Sequence, residues 1–347
     1  MERCVPVSVI VVNWNRCELL RACLVSLRNQ SLTGFEVVLV DNGSADGSAE
    51  MARREFGAGN PFSLRIVQNK ENRGFCAANN QGIATARFGL IALLNNDAEA
   101  EPKWLAALAS AFTAAPDVGM AASKILVWEE PLRIDKAGHL IYLDGQNRGR
   151  GTGERDEGQY DLREEVLWPD GCAAMYRREM LKEIGGFDED LFAYADDAEL
   201  GLRGRIAGWR CLYVPEAVVR HHRGSTLGVG SPRRLELIER NRVLLAAKLF
   251  PWSLLWLNGV FYLARIGAGL VAAARGRGEV RRFPGAGGKL RMAMAMLQGD
   301  LKALPMLPRF LRKRREIERI RKLSPKQVRR LLLRHRISLK ELSEQAI

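Results

Sequence analysis

Apolar runs and helical patterns alternate along the first third of the chain. Residues 7–12 and 35–40 are almost continuously apolar, which is typical of strands buried on both faces of a parallel sheet. Two shorter runs, 64–68 and 90–94, extend the series. The alternation predicts an α/β fold with a doubly wound, mostly parallel sheet. Helical patterns are predicted over 19–27, 48–56, 74–86 and 102–114.

Polar clusters follow three of the predicted strands. They are the sequences NWN at 13–15, DNGS at 41–44 and NND at 95–97. In a doubly wound sheet, ligands bind beyond the carboxyl ends of the strands, so we expect the three clusters to face one crevice. Asn, Asp and Gly also favour turns, and turn formation is the alternative explanation for any one cluster taken alone.

Two sets of carboxylates are candidates for chemistry. Asp97 offers a hard oxygen ligand to a divalent ion that bridges a diphosphate, although an Asp at this kind of position also commonly caps a helix or turn. Asp196 and Asp197, with Glu199, precede a helical pattern, where the helix dipole favours negative charge. An Asp beside other carboxylates in a half-apolar cleft has a raised pKa and acts as a general base. The residues alone allow a structural or a catalytic role for this set.

Histidines are few, and two of the four are adjacent. His221 and His222 follow an apolar run that predicts a strand. Because adjacent residues of a strand face opposite ways, at most one of the two is expected to enter a metal site, and a structural role is the alternative. His139 and His335 lie in sequence contexts that indicate no role.

The second half of the chain changes in character. Residues 129–166 are polar and Gly-rich, which predicts a mobile loop or an excursion over the crevice. Residues 249–264 carry no charge, but spanning a membrane takes about 20 apolar residues. A single membrane-spanning helix is an alternative only if the run is extended past Arg265 to residue 274. Helices lying on the membrane are favoured, with a buried helical pair as the alternative. A linker over 276–288 and a basic helical segment over 309–340 follow.

Charge is distributed unevenly. The net charge is +13, yet residues 231–347 carry a net +19 and residues 1–230 a net −6. A strongly basic tail favours contact with an anionic surface such as phospholipid, a phosphorylated lipid or nucleic acid; solvated helical faces are the alternative. The six cysteines form no CxxC pair and indicate a reducing compartment. The first six residues show no signal-peptide pattern, so secretion is not expected.

Five segments together resemble glycosyltransferase family 2, whose members have the GT-A fold. They follow the family's order over about residues 5–245, and they look most like bacterial rhamnosyltransferase-like members that build surface polysaccharides. The segments are VSVIVVNWN, VVLVDNGSADGS, NKENRGFCAANNQGI, LIALLNNDAEAEPKWL and DGCAAMYRREMLKEIGGFDEDLFAYADDAELGLRGRIAGWRCLYVPEAVVRHHRGST.

The resemblance implies a role for each matched position. The family's metal-binding DxD motif corresponds to NND at 95–97, so Asp97 is the main expected protein ligand of Mg²⁺ or Mn²⁺. His221 completes the metal site, with His222 in reserve. The family's catalytic Glu-Asp motif corresponds to Asp196 and Asp197, with Asp197 as the base and the part of Asp196 less defined. Nucleotide-sugar binding is expected of Asn13, Asn15, Asp41, Asn72, Arg73, Gly74, Asn95 and Asn96.

We therefore expect an inverting glycosyltransferase that takes a sugar from a UDP- or dTDP-sugar, with dTDP-rhamnose among the donors. The expected acceptor is a saccharide or a lipid-linked saccharide in cell-surface polysaccharide synthesis. The expected catalytic domain covers 1–230, with a nucleotide-sugar half at about 1–115 and an acceptor half at about 116–230. Residues 231–347 are expected to form a basic helical region at the anionic cytoplasmic face of the cell membrane. No nucleic acid partner is expected.

Three other interpretations compete with this one. A nucleotidyltransferase shares the doubly wound sheet, but it normally carries a Gly-rich phosphate loop after the first strand, where this chain has NWNR. A scaffold that binds nucleic acid or membrane through the tail leaves Asp196, Asp197 and the strand-end clusters unexplained. A catalytically degenerate relative is the third, because Asn95 replaces an Asp of the metal motif.

Overall fold

The computed structural model describes residues 6–113, 115–222, 228 and 230–345. The sequence RGST that follows His222 therefore lies outside the described residues. Most of the strands within the described residues belong to one large sheet. The strands are β1 (Val7–Asn13), β2 (Glu36–Asp41), β3 (Ser63–Gln68), β4 (Leu90–Leu94), β5 (Ala98–Ala100), β6 (Val118–Val127), β7 (Ile134–Lys136), β8 (His139–Ile141), β9 (Asn147–Gly149), β10 (Glu164–Val166), β11 (Ala173–Arg177) and β12 (Arg210–His221).

Helices connect these strands and make up almost all of the C-terminal third. Short 3-10 turns at Glu189–Leu191, Glu279–Arg282 and Leu304–Met306 join some of them. The helices are α1 (Cys17–Arg28), α2 (Ser48–Phe56), α3 (Phe75–Thr85), α4 (Trp104–Ser110), α5 (Arg178–Ile184), α6 (Asp196–Ile206), α7 (Pro232–Leu249), α8 (Trp252–Leu255), α9 (Asn258–Ala274), α10 (Gly285–Ala303), α11 (Leu307–Ile320), α12 (Pro325–Arg334) and α13 (Leu339–Glu344).

The large sheet has the strand order β10-β12-β6-β11-β4-β1-β2-β3, with β5 added to β12 and β7 to β6. β1 runs parallel to β2 and β4, and β11 enters antiparallel between β4 and β6. Along this path, six of the eight strands among the described residues point the same way. The prediction of a doubly wound, mostly parallel sheet is confirmed. The order reverses between β1 and β4, which is where such sheets form a ligand crevice.

Alternate residues of the central strands serve two cores. Val9 and Val11 of β1 pack with α1, α2 and α4 on one face, whereas Ile10 packs with α3, α5 and α6 on the other. Because both faces are covered, these strands have the continuous apolar runs of a buried parallel sheet. Helix α3 approaches β1 so closely that a Cβ on Gly82 would lie 2.5 Å from Ile10 Cγ2, which restricts this position to glycine.

The polar segment 129–166, predicted to be a mobile loop, contains the four short strands β7 to β10. β7 pairs with β6, and β8 pairs with β9 in a small hairpin. Ile134, His139, Ile141 and Asp144 of this segment are buried. The prediction of a loop is wrong here because each strand has only three residues, too few to leave a recognisable alternation in a Gly-rich sequence.

The helices after residue 230 share a core with the helix that starts at Asp196. Trp168 and Leu202 pack there with Leu245, Phe250 and Val328. The basic segment predicted as one helical stretch over 309–340 forms parts of the three helices α11, α12 and α13. In the parts of the chain that the structure describes, we find no helix with both the length and the apolar character needed to cross a membrane.

Candidate active site

Side-chain hydrogen bonds link the carboxyl ends of β1, β2 and β4. Asn13 accepts a bond of 2.6 Å from Asn96 Nδ2 and donates one of 3.2 Å to Ser44 Oγ. Asn13 and Asp41 are register partners at the ends of β1 and β2, and both are buried. Asp41 Oδ1 has no hydrogen-bond partner among the described residues. The three strand-end clusters therefore meet at one edge of the sheet, with a spare buried acceptor at Asp41.

Asn42 holds the segment 72–74 in place beside this edge. Its Nδ2 donates to Asn72 Oδ1 at 2.9 Å, and its Oδ1 accepts from the backbone nitrogen of Arg73 at 3.1 Å. Gly74 has a φ of +85°, and a Cβ added there would lie 2.5 Å from the ring of Phe192. Glycine at this position therefore permits close contact between segment 72–74 and the loop that precedes α6.

His221 lies between two carboxylates at the end of β12. Its Nε2 is 3.5 Å from Asp97 Oδ1, and its Nδ1 is 2.8 Å from Asp135 Oδ2. Burial alone would lower the pKa of His221, but Cys172 and the two carboxylates raise it well above its ordinary value. Metal binding at His221 would require a neutral imidazole, so it would be coupled to loss of a proton from a protonated ring.

Asp196 and Asp197 form the first turn of α6, and both are more than nine-tenths buried. Asp197 accepts hydrogen bonds from the backbone nitrogens of Ala198 at 2.7 Å and Gly171 at 3.3 Å. Burial raises the pKa of Asp197 above its ordinary value, although His139 opposes the shift. Burial and the adjacent charge of Asp197 raise the pKa of Asp196 well above its ordinary value. Carboxylates with raised pKa values are suited to accept a proton from a hydroxyl.

The loop before α6 is strained. Phe192, Tyr194 and Ala195 have φ values of 66°, 68° and 56°, in the left-handed region that non-glycine residues avoid. Asn241 of α7 is fully buried and donates from Nδ2 to three main-chain oxygens of this loop at 2.7 to 3.0 Å. Helix α7 therefore fixes the backbone that leads into the Asp196–Asp197 turn.

A second buried cluster touches Asp197. Lys136 Nζ lies 2.5 Å from Asp170 Oδ2, and His139 Nε2 lies 2.9 Å from the same oxygen and 3.5 Å from Asp197 Oδ2. Burial opposes the ionisation of Asp170, but Lys136 and His139 hold its pKa well below its ordinary value. Ligand atoms of His139, Asp170 and Asp197 lie within 4.8 Å of one another, close enough for a metal ion. Lys136 already supplies a partly exposed cation to this cluster, which disfavours a second one.

One cleft of about 520 Å³ joins these groups. Five expected residues do not line it: Asn13 and Asp41 are buried at its sheet edge, Asn96 bonds to Asn13, and Asn15 and Arg73 are exposed. The expected residues in its wall are Asn72, Gly74, Asn95, Asp97, Asp196, Asp197 and His221.

Other residues of the cleft wall were missed by sequence reasoning. Four of them, Asp135, Lys136, His139 and Arg148, lie on β7, β8 and β9, inside the segment that was predicted to be a loop. Asp170 also lines the cleft, and its signal was the sequence DGC just before a strand. Side chains on three-residue strands reach the site through pairing with distant strands, which no local pattern indicates.

Comparison with known proteins gives one family. The family model for glycosyl transferase family 2 matches residues 8–185. An N-acetylglucosaminyl-diphospho-decaprenol L-rhamnosyltransferase from Mycobacterium tuberculosis is 28% identical over 243 residues, which cover 63% of this chain and 77% of that enzyme. An uncharacterised protein from Sinorhizobium fredii is 28% identical over 238 residues, which cover 66% of this chain but only 26% of that relative.

Two solved structures share the fold. A mannosyltransferase from Pyrobaculum calidifontis in complex with GDP-Man and Mn²⁺ has a TM-score of 0.54 at 19% identity, covering 87% of this chain and 88% of that one. The structure of GalNAc-T7 with UDP, GalNAc and Mn²⁺ has a TM-score of 0.60 at 15% identity, covering 89% of this chain and 57% of that one. Identities this low establish the fold alone, which is GT-A.

Proposed function

The chain belongs to glycosyl transferase family 2 and is therefore a glycosyltransferase, and we propose that it is an inverting, metal-dependent enzyme whose general base is Asp197. It moves a sugar from a UDP- or dTDP-sugar to a hydroxyl of a saccharide or lipid-linked saccharide. One observation carries the proposal: Asp197, a buried carboxylate with a raised pKa, lines the same cleft as Asp97 and His221.

The reaction is a single displacement. The acceptor oxygen attacks the anomeric carbon, the bond from that carbon to the nucleotide diphosphate breaks, and the hydroxyl proton passes to Asp197. Attack from the face opposite the leaving group inverts the anomeric configuration. The bond from the Gly171 backbone nitrogen to Asp197 Oδ2 orients the carboxylate, and a general base of this kind contributes roughly 10²- to 10⁴-fold.

Asp196 has a positioning part in this scheme. Its Oδ1 accepts a hydrogen bond of 2.7 Å from the backbone nitrogen of Asp197. That bond satisfies one of the free N–H groups at the start of α6. Asp196 therefore fixes the first turn of the helix that presents Asp197.

The residues around Asp97 fit a divalent cation. Asp97 Oδ1 and His221 Nε2 are 3.5 Å apart, and two atoms that each lie about 2.1 Å from one ion are at most about 4.2 Å apart. His221 Nδ1 pairs with Asp135 at 2.8 Å, the second contact that orients metal-ligating histidines. Asn95, also in the wall, adds a neutral oxygen. Bound Mg²⁺ or Mn²⁺ would neutralise charge on the leaving diphosphate, and Mn²⁺ is named with both similar structures.

The nucleotide is assigned to the sheet edge beside this metal site. Asp41 Oδ1, which has no hydrogen-bond partner within the described residues, is an acceptor suited to an N–H of the base, because buried acceptors are rarely left unpaired. Asn13, Asn15 and Asn96 shape this edge. Asn72, Arg73 and Gly74, held by Asn42, are assigned to the base and ribose.

The relatives guide the choice of donor and acceptor. The rhamnosyltransferase named above acts on a diphosphate-linked sugar, as its name states. We therefore place dTDP-rhamnose first among donors, and a saccharide carried on a lipid first among acceptors, in the synthesis of a cell-surface polysaccharide.

The division near residue 230 remains part of the proposal, with a catalytic region before it and a basic helical region after it. We place that helical region on the cytoplasmic face of the cell membrane as a peripheral contact. Helices α8 to α10 expose large apolar side chains, which suits contact with the lipid interface, and the net +19 of residues 231–347 favours anionic lipid. The most exposed are Trp256 (81%), Leu263 (69%), Leu270 (68%), Val260 (63%), Leu290 (61%) and Leu297 (59%).

Donor binding and hydrolysis test the function directly. UDP-, dTDP- and GDP-sugars are assayed with and without Mn²⁺ or Mg²⁺, for the native protein and for Asp197→Asn. We expect metal-dependent binding of one donor, with turnover lost and binding retained in the variant. Absence of binding to every donor refutes the assignment, and full turnover by Asp197→Asn removes Asp197 from the mechanism.

A further inference from the structure

Arg148 is a buried cation that forms no direct ion pair with a described carboxylate. It lies on β9, is 8% exposed and lines the catalytic cleft. Its Nη1 donates to the main-chain oxygen of Asn147 at 3.3 Å, whereas its Nε has no hydrogen-bond partner. Across the described residues, no carboxylate forms an ion pair with this guanidinium. A buried charge left unpaired is costly, so the position indicates an anion that binds there.

Two other residues of the cleft wall, Gln146 and Arg234, also have buried polar atoms without a hydrogen-bond partner among the described residues. Gln146, in the same hairpin, is 4% exposed and lines the cleft, and its Oε1 has no hydrogen-bond partner within the described part of the chain. Arg234 of α7 also lines the cleft; its Nη1 makes no hydrogen bond to a described residue and lies 3.6 Å from Glu279. The guanidinium carbon of Arg234 lies 5.7 Å from the centre of the Tyr194 ring. Buried polar atoms left unsatisfied in residues that line one cleft call for a partner that the described residues do not supply.

We propose that Arg148 and Arg234 bind a phosphate or diphosphate group on the acceptor, while Gln146 Oε1 accepts a hydrogen bond from the sugar that this group carries. The inference rests on the proposed function and names the acceptor class: a saccharide joined to a phosphate or diphosphate ester. Guanidinium groups suit this ligand because their planar donors bind two phosphate oxygens at once.

The proposed subsite is built from other elements than the contacts assigned to the donor's diphosphate. Arg148 and the base are linked through one hairpin, since β8 carries His139, which lies 3.5 Å from Asp197. Arg234 belongs to α7, in the C-terminal helical region, whereas the donor's diphosphate is assigned to Asp97 and His221. An acceptor phosphate in this subsite therefore lies at the end of the cleft formed by α7.

The electrostatics of Arg148 suit the binding of an anion. Burial lowers the pKa of Arg148 to about 9; Glu279 opposes this shift, and Arg265 and Arg234 add to it. The guanidinium remains protonated near neutral pH, but its charge is poorly compensated. Replacing Arg148 by an uncharged residue should therefore raise the melting temperature of the ligand-free protein, while an arginine with only a structural role would lower it.

The experiment compares Arg148→Gln with the native protein and with Arg155→Gln, an exposed arginine of the same segment. Binding of inorganic pyrophosphate is measured by calorimetry in EDTA, and binding of the nucleotide-sugar donor is measured with Mn²⁺. Transfer is measured to two acceptors with the same sugar, one on a short-chain lipid diphosphate and one as an alkyl glycoside without phosphate. Melting temperatures are recorded for all three proteins.

We expect Arg148→Gln to lose pyrophosphate binding and to raise KM for the diphosphate acceptor roughly 10- to 100-fold. Donor affinity, KM for the alkyl glycoside and the behaviour of Arg155→Gln should stay unchanged, and Arg148→Lys should restore part of the binding. Weaker donor binding in Arg148→Gln overturns the inference in favour of a donor contact. Equal loss on both acceptors with a lower melting temperature overturns it in favour of a structural role.

Failure of this inference and failure of the proposed function give different results. If the native protein binds and hydrolyses a donor but uses both acceptors with the same KM, the anion subsite is wrong and the transferase assignment stands. If no donor binds, the transferase assignment fails, and the pyrophosphate measurement still decides whether Arg148 holds an anion.

Discussion

Asn241 on α7 is expected to control catalysis from outside the reacting groups. Its Nδ2 donates to the main-chain oxygens of residues 191, 193 and 194 at 3.0, 2.8 and 2.7 Å. The same loop holds three non-glycine residues at positive φ immediately before the Asp196–Asp197 turn. In Asn241→Ala the oxygens of residues 193 and 194 lose this donor, whereas Leu191 O keeps bonds from Arg240 Nη2 and the Ala193 backbone nitrogen. The strain remains, so the loop should relax and carry Asp197 away from its position.

The size of the effect follows from these contacts. The two partly buried oxygens left without this donor cost about 1–3 kcal/mol each, and partial relaxation of the left-handed residues returns some of this cost. We expect a net loss of about 1–3 kcal/mol in the free energy of unfolding. A shift of about 1 Å in a catalytic group lowers the rate about 100-fold, so kcat should fall by that order while donor affinity changes little.

The assay combines urea unfolding with transfer kinetics at saturating donor. Asn258→Ala is the matched control, because Asn258 makes the same kind of contact only once, to Leu143 O at 3.4 Å, and lies on α9. We expect it to be close to native in both measurements. If Asn241→Ala unfolds at the same urea concentration as the native protein and keeps its kcat, the loop before α6 does not depend on Asn241 for its conformation, and the prediction is refuted.

Four further predictions follow from the site and the C-terminal helices. Asp197→Asn should lower kcat roughly 10²- to 10⁴-fold. Because the pKa of Asp197 is raised, the rate of the native enzyme should already fall on acidification at pH values above about 4. A rate that stays constant down to about pH 4 contradicts the role of Asp197 as the base. The pKa of Asp196 is higher in the folded than in the unfolded state, so ionisation of Asp196 destabilises the fold as the pH rises above about 4. Asp196→Asn should therefore raise the melting temperature at pH 7 and leave it nearly unchanged at pH 4. Equal changes in melting temperature at the two pH values would disprove this linkage. Asp135→Asn should weaken Mn²⁺ binding about 10- to 100-fold in a metal titration, and unchanged affinity would exclude this pairing. Trp256→Ser with Leu263→Ser should reduce sedimentation with anionic vesicles, whereas Leu162→Ser, at an exposed leucine (79%) of the catalytic region, should not; equal effects would count against the membrane contact.

The central sheet could be predicted because its strands carry their own signal. β1 and β2 lie between two covered faces, so their residues are apolar at nearly every position, and the polar residues that end each run lie where the register places them together. The helix predicted over 48–56 and the strand predicted over 90–94 have those bounds in the structure. Strands that are buried on both faces can therefore be recognised from their own sequence.

The remainder of the site could not be predicted because its residues depend on distant pairing. Lys136, His139 and Arg148 reach the cleft from three-residue strands that are stabilised by β6 or by each other. Asn241 has no local pattern that indicates its contacts with residues 191–194. Composition also treats all cations alike, although Arg242 and others of the tail are buried and bonded inside the protein.

The core shared by α6, α7 and the last helices has a consequence for engineering. The region that matches the family ends at residue 185, before α6 begins, yet Leu202 packs against Leu245 and Val328, and buried Lys248 pairs with Glu199. Truncation after residue 230 would expose this core to solvent. It would also remove Lys248, so that the buried carboxylate of Glu199 would lose one of its two cationic partners among the described residues. Chimeras that exchange specificity with a relative should therefore move α6 to α13 as one unit, because the C-terminal helices pack on the helix that carries the catalytic turn.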